Sequence, residues 1–119
     1  MEVPHFNVHK TKHTTTHDGT VSLVRLIQSD PSCMAKIATM NYAWLDKDGE
    51  LKPHLHPDSV EYFFFLQGLG SIQIGDVTLG VESGDFVTVP MNTLHTLKNS
   101  QEEQLIFLTL RAIVQQQEE

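Results

Sequence analysis

The chain has 119 residues, 39% of them apolar and 19% charged, which is enough for one packed domain and too apolar for a disordered segment. Its 15 acidic and 8 basic residues give a net charge of -7, and Arg25 and Arg111 are its only arginines. No basic stripe exists to replace counterions on a nucleic acid or to hold an anionic membrane surface. Cys33 is the single cysteine, so no internal disulfide framework forms, and no apolar run nears the roughly 18 residues of a membrane span. The expectation is one cytoplasmic domain over residues 1–119, with no nucleic-acid or membrane partner.

The first stretch, His5 to Asp18, is polar, and Thr14-Thr15-Thr16 favours a strand within it. His5, His9, His13 and His17 recur every four residues. That spacing reads as a polar N-terminal strand in preference to a second metal site. Strand-forming runs follow at Val21–Ile27 and Ile37–Leu45, with one helical turn open to Asp30-Pro31-Ser32 between them. Further runs lie at Val60–Gln67, Ser71–Ile74, Val77–Val81, Phe86–Pro90, Thr93–Lys98 and Gln104–Val114. Turn residues separate them, and Gly75-Asp76 has hairpin spacing. The end, Gln115 to Glu119, is polar. No long segment carries a helical apolar period, so the pattern is all-β, a sandwich or small barrel.

Alternation places Glu61, Phe63 and Phe65 on one face of their strand and Tyr62, Phe64 and Leu66 on the other. Gln104–Val114 divides likewise, with Leu105, Phe107 and Ile113 opposite Ile106, Leu108 and Leu110. One face fills a barrel interior. The other needs cover from a second subunit or from the N-terminal segment. Met40, Tyr42 and Trp44 share a face and read as packing residues. Arg111 falls on the face of Phe107, where it either orients a substrate carboxylate or, as the preferred reading, makes a surface or interface ion pair. Cys33 has no histidine near it in sequence, which argues against a nucleophilic role.

The chemistry concentrates in Lys52-Pro53-His54-Leu55-His56-Pro57, where two imidazoles at i and i+2 share a strand face and two prolines stiffen the segment. Glu61 follows five residues later, and His95 follows Pro90. Three imidazoles and a carboxylate suit a divalent transition metal such as Fe, Mn, Ni, Cu or Zn. Spacing alone leaves open that His54 and His56 are solvent-facing residues of a polar loop.

The segment from Gly49 through His54, His56 and Glu61 to Gly68 resembles the first motif of the cupin superfamily, with one residue fewer than usual between Gly49 and His54. The segment Gly84 to Asn99, with Pro90 and His95, resembles the second, and Asn92 stands where that motif has Gly. Asn is the best substitute at a left-handed turn position. The resemblance, over residues 49–68 and 84–99, implies a double-stranded antiparallel β-helix, the jelly-roll cupin barrel. It also implies one divalent metal held by His54, His56, Glu61 and His95.

A metal with four protein ligands keeps a position open for substrate, so the expected function is a metal-dependent enzyme on a small organic molecule. Oxygenation of a phenol or diketone by a dioxygenase-like reaction is the leading case; decarboxylase or isomerase chemistry shares the same ligands. Glu61 is the candidate catalytic residue beyond ligation, because no uncommitted carboxylate or histidine near the motifs offers itself as a base. Phe63 and Phe65 are expected to floor the pocket, and two arginines are too few for a phosphate clamp. The alternative is a non-catalytic, metal-containing module that binds a small molecule. A homodimer is expected in either case.

Overall fold

The computed structural model describes residues 6–28 and 37–114. A 3-10 turn at Val8–Lys10 precedes ten strands: β1 (Thr14–Thr16), β2 (Val21–Gln28), β3 (Ile37–Leu45), β4 (Glu50–His54), β5 (Ser59–Gln67), β6 (Leu69–Ile74), β7 (Val77–Glu82), β8 (Phe86–Val89), β9 (His95–Lys98) and β10 (Leu105–Ile113). They form a six-stranded sheet in the order β1-β2-β3-β10-β5-β8 and a four-stranded sheet in the order β4-β9-β6-β7. Every pairing is antiparallel. This is the jelly-roll barrel that the two motifs imply.

The runs of β-branched and aromatic residues become the strands expected of them, within two residues at each end. Ile74 pairs with Val77 across the two-residue turn Gly75-Asp76, with Gly75 at a φ of 56°. Strand β4 carries no apolar run, because Lys52 and Pro53 sit in it, and the short turn at Val8–Lys10 has no sequence period to announce it. His5, Asp30-Pro31-Ser32, Cys33 and the final Gln115–Glu119 lie outside the described residues.

The core lies between the sheets. Phe63, Phe65 and Phe107 are fully buried, with Leu45, Ile72, Leu97 and Leu105 packed around them. The three phenyl centroids lie 5.8 to 6.1 Å apart, inside the range in which aromatic pairs attract. Alternation along β5 therefore divides as the sequence implies. Its inner face carries Glu61, Phe63 and Phe65, and its outer face leaves Phe64 and Leu66 exposed.

The outer face of the six-stranded sheet is only partly covered by the chain's own N-terminal segment. His9 packs edge-on against Tyr42, and His13 against Trp44 at a centroid distance of 5.0 Å. Met40, Tyr62, Phe64, Phe86, Leu108 and Leu110 line an apolar groove, and among the described residues none of the N-terminal segment lines it.

Two details of the turns hold the later site in place. The Asn99 amide donates to the Leu45 and Glu103 carbonyls, and its oxygen accepts from Gln101 N–H, so a buried polar side chain is fully bonded. Asn92 sits at φ 58°, as its place in the second motif requires, and its N–H donates to the His56 carbonyl at 2.7 Å. One turn of the second motif thereby fixes the loop that carries a histidine of the first. Asn92→Gly is expected to leave stability unchanged within about 0.5 kcal/mol, whereas Asn92→Ala loses about 1 kcal/mol to left-handed strain, read by chemical denaturation.

Candidate metal centre

His54 ends β4, His56 follows in the loop, Glu61 lies early in β5 and His95 opens β9, so the four residues come from both sheets. A register shift between Leu51 and His54 makes His54 face inward. Leu51 pairs with Leu97 and His54 pairs with His95, three residues against two. Without that bulge, strict alternation from Leu51 would turn Pro53 and Leu55 inward instead. The bulge brings His54 and His56 onto the interior side while Leu55 is left exposed.

One potential ligand atom from each of His54, His56, Glu61 and His95 lies within 4.8 Å of all the others. The imidazole centroids of His54 and His95 are 4.2 Å apart, and His56 is 5.0 Å from His54. His54 Nδ1 lies 2.7 Å from the Lys52 carbonyl, and His95 Nδ1 lies 3.1 Å from the Thr93 carbonyl. A carbonyl oxygen only accepts, so each Nδ1 carries the proton and each Nε2 keeps its lone pair free. That is the arrangement in which a neutral imidazole binds a metal, with a backbone group orienting it from behind.

Glu61 is buried on the same strand face as Phe63, whose ring lies edge-on to His95 at 6.1 Å. Burial pushes its carboxyl upward, but the hydrogen bond from His56 at 3.1 Å and the neighbouring His95 outweigh that and hold it at about 2. His95 Nε2, at 3.8 Å from Glu61, is beyond hydrogen-bond reach, so its pull is electrostatic. Burial acts first on His54 as well and lowers it below the ordinary histidine value, which keeps it neutral at pH 7.

The fit to a metal is tested by what the protein leaves unpaired. His95 Nε2 is a buried nitrogen with no hydrogen-bond partner, aimed at three other donors. A buried nitrogen lone pair without a partner is costly, and a cation removes that cost. Nitrogen and carboxylate donors in a ratio of three to one suit a first-row divalent ion.

Two of the four residues, His56 and Glu61, line a cavity of about 240 Å³. Its apolar wall is Val21, Leu23, Ala43, Leu51 and Phe107, and Phe63 and Phe65 lie behind it instead of flooring it. Its polar wall includes both arginines. Arg111 stands directly opposite Glu61 in the β5–β10 register, and Arg25 opposite Asn41 in the β2–β3 register. Arg111 also makes the surface pair expected of it, 3.7 Å from Asp58, while Ser59 Oγ accepts from it at 3.3 Å. The side chain is half-buried, so it lines the cavity and lies beside Asp58 at once.

His17 is the residue at the cavity that spacing concealed. It shares the four-residue repeat of His9 and His13, but those two pack edge-on against the outer aromatics, while His17 lies 5.2 Å from His54 and lines the cavity. The turn His17-Asp18-Gly19, left-handed at all three residues, carries it there. Its Nδ1 accepts from Lys52 N–H at 3.1 Å, so the neutral ring presents Nε2–H outward. Burial lowers it below the ordinary value, with the Lys52 ammonium acting in the same direction. The one available signal was the His-Asp-Gly turn, since Asp18 also pairs with the Lys52 ammonium.

The family profile of the cupin domain matches residues 43–111, so the chain belongs to the cupin family. Solved structures similar to it include a predicted oxalate decarboxylase from Thermotoga maritima, at TM-score 0.80 and 17% identity over 91% of this chain and 97% of that one. KdgF from Halomonas sp. superposes at TM-score 0.77 with 12% identity over 96% of each chain. The Cnp3 cupin domain of Schizosaccharomyces pombe superposes at 0.78 with 13% identity over 95% of this chain and 71% of that one. At these identities the likeness is one of fold. No functionally curated protein matches the sequence.

Elemental analysis after loading is expected to give one divalent ion per chain. His56→Ala should weaken binding by about 100-fold or more, because it removes a ligand and a hydrogen-bond partner of Glu61 together. Calorimetric titration of wild type and variant checks this, and a thermal shift on metal addition should disappear in parallel.

Proposed function

We propose that the chain is a metal-dependent enzyme acting on a small organic substrate in the barrel cavity, with His54, His56, Glu61 and His95 as the metal ligands. The observation that carries this reading is the convergence of four donors within 4.8 Å, two of which, His56 and Glu61, line an open cavity of about 240 Å³. A buried structural metal would have no use for such an opening.

When bound, a divalent ion there supplies Lewis acidity, and iron or manganese adds the capacity for dioxygenase-like chemistry. The protein's own contributions are distinct. The Lys52 and Thr93 carbonyls orient the imidazoles of His54 and His95. Val21, Leu23 and Phe107 exclude water from one side of the cavity. His17 offers Nε2–H as a hydrogen-bond donor, and Glu61, which would help hold the metal, is the carboxylate lining the cavity that would take a substrate proton. Glu61→Gln separates ligation from proton transfer. The expected result is metal retained with weaker affinity, and turnover lowered by about 100-fold or more against small acids, diketones and phenols screened with iron-, manganese- and nickel-loaded protein. Equal turnover by the variant removes Glu61 from the chemistry, and no turnover or oxygen uptake by any loaded form removes the enzymatic reading.

A non-catalytic binding module is the second reading, and one observation favours it. The only histidine at the cavity beyond the four is His17, and its Nδ1 is already occupied by a backbone N–H, so among the described residues no free imidazole base faces the site.

We also propose a homodimer through the outer groove of the six-stranded sheet. Phe86, 62% exposed, stacks on Tyr62 at its edge, and Phe64 stands beside them. A patch of this kind is rare on a monomer unless it has a partner. Sedimentation of wild type is expected to give twice the chain mass at micromolar concentration, and Phe86→Asp with Phe64→Ser is expected to give the monomer mass.

A further inference from the structure

Both guanidinium groups of a chain with net charge -7 line one cavity. They are placed there by register. On the inner face of the six-stranded sheet, Thr39, Arg111 and Glu61 form one cross-strand row, and Arg25, Asn41 and Thr109 form the next. One strand separates β2 from β10, so the Cα atoms of Arg25 and Arg111 are about 12 Å apart by sheet spacing. Two long side chains can close that distance on a ligand between them.

Charge sharpens the point. Three neutral imidazoles, one carboxylate and a divalent ion sum to about +1, and two guanidiniums face the same space. Asp58, exposed and 3.7 Å from Arg111, offsets part of one. Among the described residues no carboxylate lies within ion-pair distance of Arg25. The wall between the arginines is polar but neutral, since Asn41 donates to Thr109 at 3.1 Å and leaves its own buried oxygen without a partner. A neutral ligand would leave that charge uncompensated, and an anion completes it.

We infer that Arg25 and Arg111 form a carboxylate-binding subsite beside the metal centre, so that the ligand is a small organic acid. One carboxylate lies between the guanidiniums, and a second oxygen donor reaches the metal. Guanidinium binds carboxylate with paired, parallel hydrogen bonds, which gives orientation as well as charge. The cavity, at about 240 Å³, is small, which favours a short-chain acid. The acid class rests on the metal-dependent reading above and narrows its substrate, whereas the subsite itself stands on the arginines.

The test uses malonate and glutarate against their diamides, titrated calorimetrically into nickel-loaded and metal-free protein. Wild type is expected to bind a dicarboxylate and to prefer it to the diamide. Arg25→Met and Arg111→Met should each weaken the dicarboxylate by at least about tenfold, leave diamide binding unchanged and leave nickel affinity within about twofold of wild type. Arg111→Lys keeps charge but loses the paired geometry and should fall between. Arg25 is exposed and makes no described ion pair, so its variant keeps the test valid if Arg111→Met does not fold. If the chain takes no nickel, the metal reading fails, and the metal-free titration alone decides the subsite. Equal dicarboxylate affinity in wild type and both variants, or no binding of either acid by wild type, overturns the inference.

Discussion

A carboxylate buried in an apolar barrel is costly unless something compensates its charge, and the arrangement of this protein follows from keeping Glu61 there. Glu61 shares the inner face of β5 with Phe63 and Phe65, which are fully buried. Its compensation comes from the opposite sheet and the connecting loop. His56 donates to one carboxylate oxygen, and His95 stands 3.8 Å from the other. Those partners hold the carboxyl ionised to about pH 2 despite burial, which is the state a metal requires. His95 nonetheless keeps a buried nitrogen unpaired, so protein groups alone leave the cluster incomplete.

That one requirement reaches far along the chain. Bringing His54 inward takes the bulge in β4. Holding His56 takes the left-handed turn at Asn92, whose N–H reaches the His56 carbonyl. Lys52 serves through its backbone on both sides, with its carbonyl facing His54 and its N–H facing His17. The same register that sets Glu61 in place sets Arg111 across from it. The cavity's charge is therefore a consequence of sheet pairing, and it runs opposite to the net charge of the whole molecule.

The strands, the barrel and the four converging side chains were legible in the sequence because each leaves a local trace. β-branched runs alternate with turn residues, and His54, His56, Glu61, Gly68, Gly84, Pro90, His95 and Asn99 fall at fixed spacings. Asn92 was legible as a left-handed position for the same reason. Strand β4 was not, since its pairing depends on the partner β9 and not on its own composition. His17 and the arginines were hidden by a different cause. Composition counts two arginines as a weak clamp, but only long-range pairing reveals that both face one cavity. Likewise, the four-residue repeat of histidines suggests a common role, and a turn at residues 17–19 divides it. His9 and His13 cover aromatics outside the barrel, while His17 lines the cavity within it.

The central claim is that imidazoles of His54, His56 and His95 and the carboxylate of Glu61 hold one metal. X-ray absorption on the manganese- or nickel-loaded protein reads those ligands directly. The account predicts nitrogen and oxygen donors at about 2.1 Å with outer scattering from three imidazoles, and scattering from one imidazole fewer in His95→Ala. A spectrum with no imidazole scattering, or one that His95→Ala leaves unchanged, would contradict it.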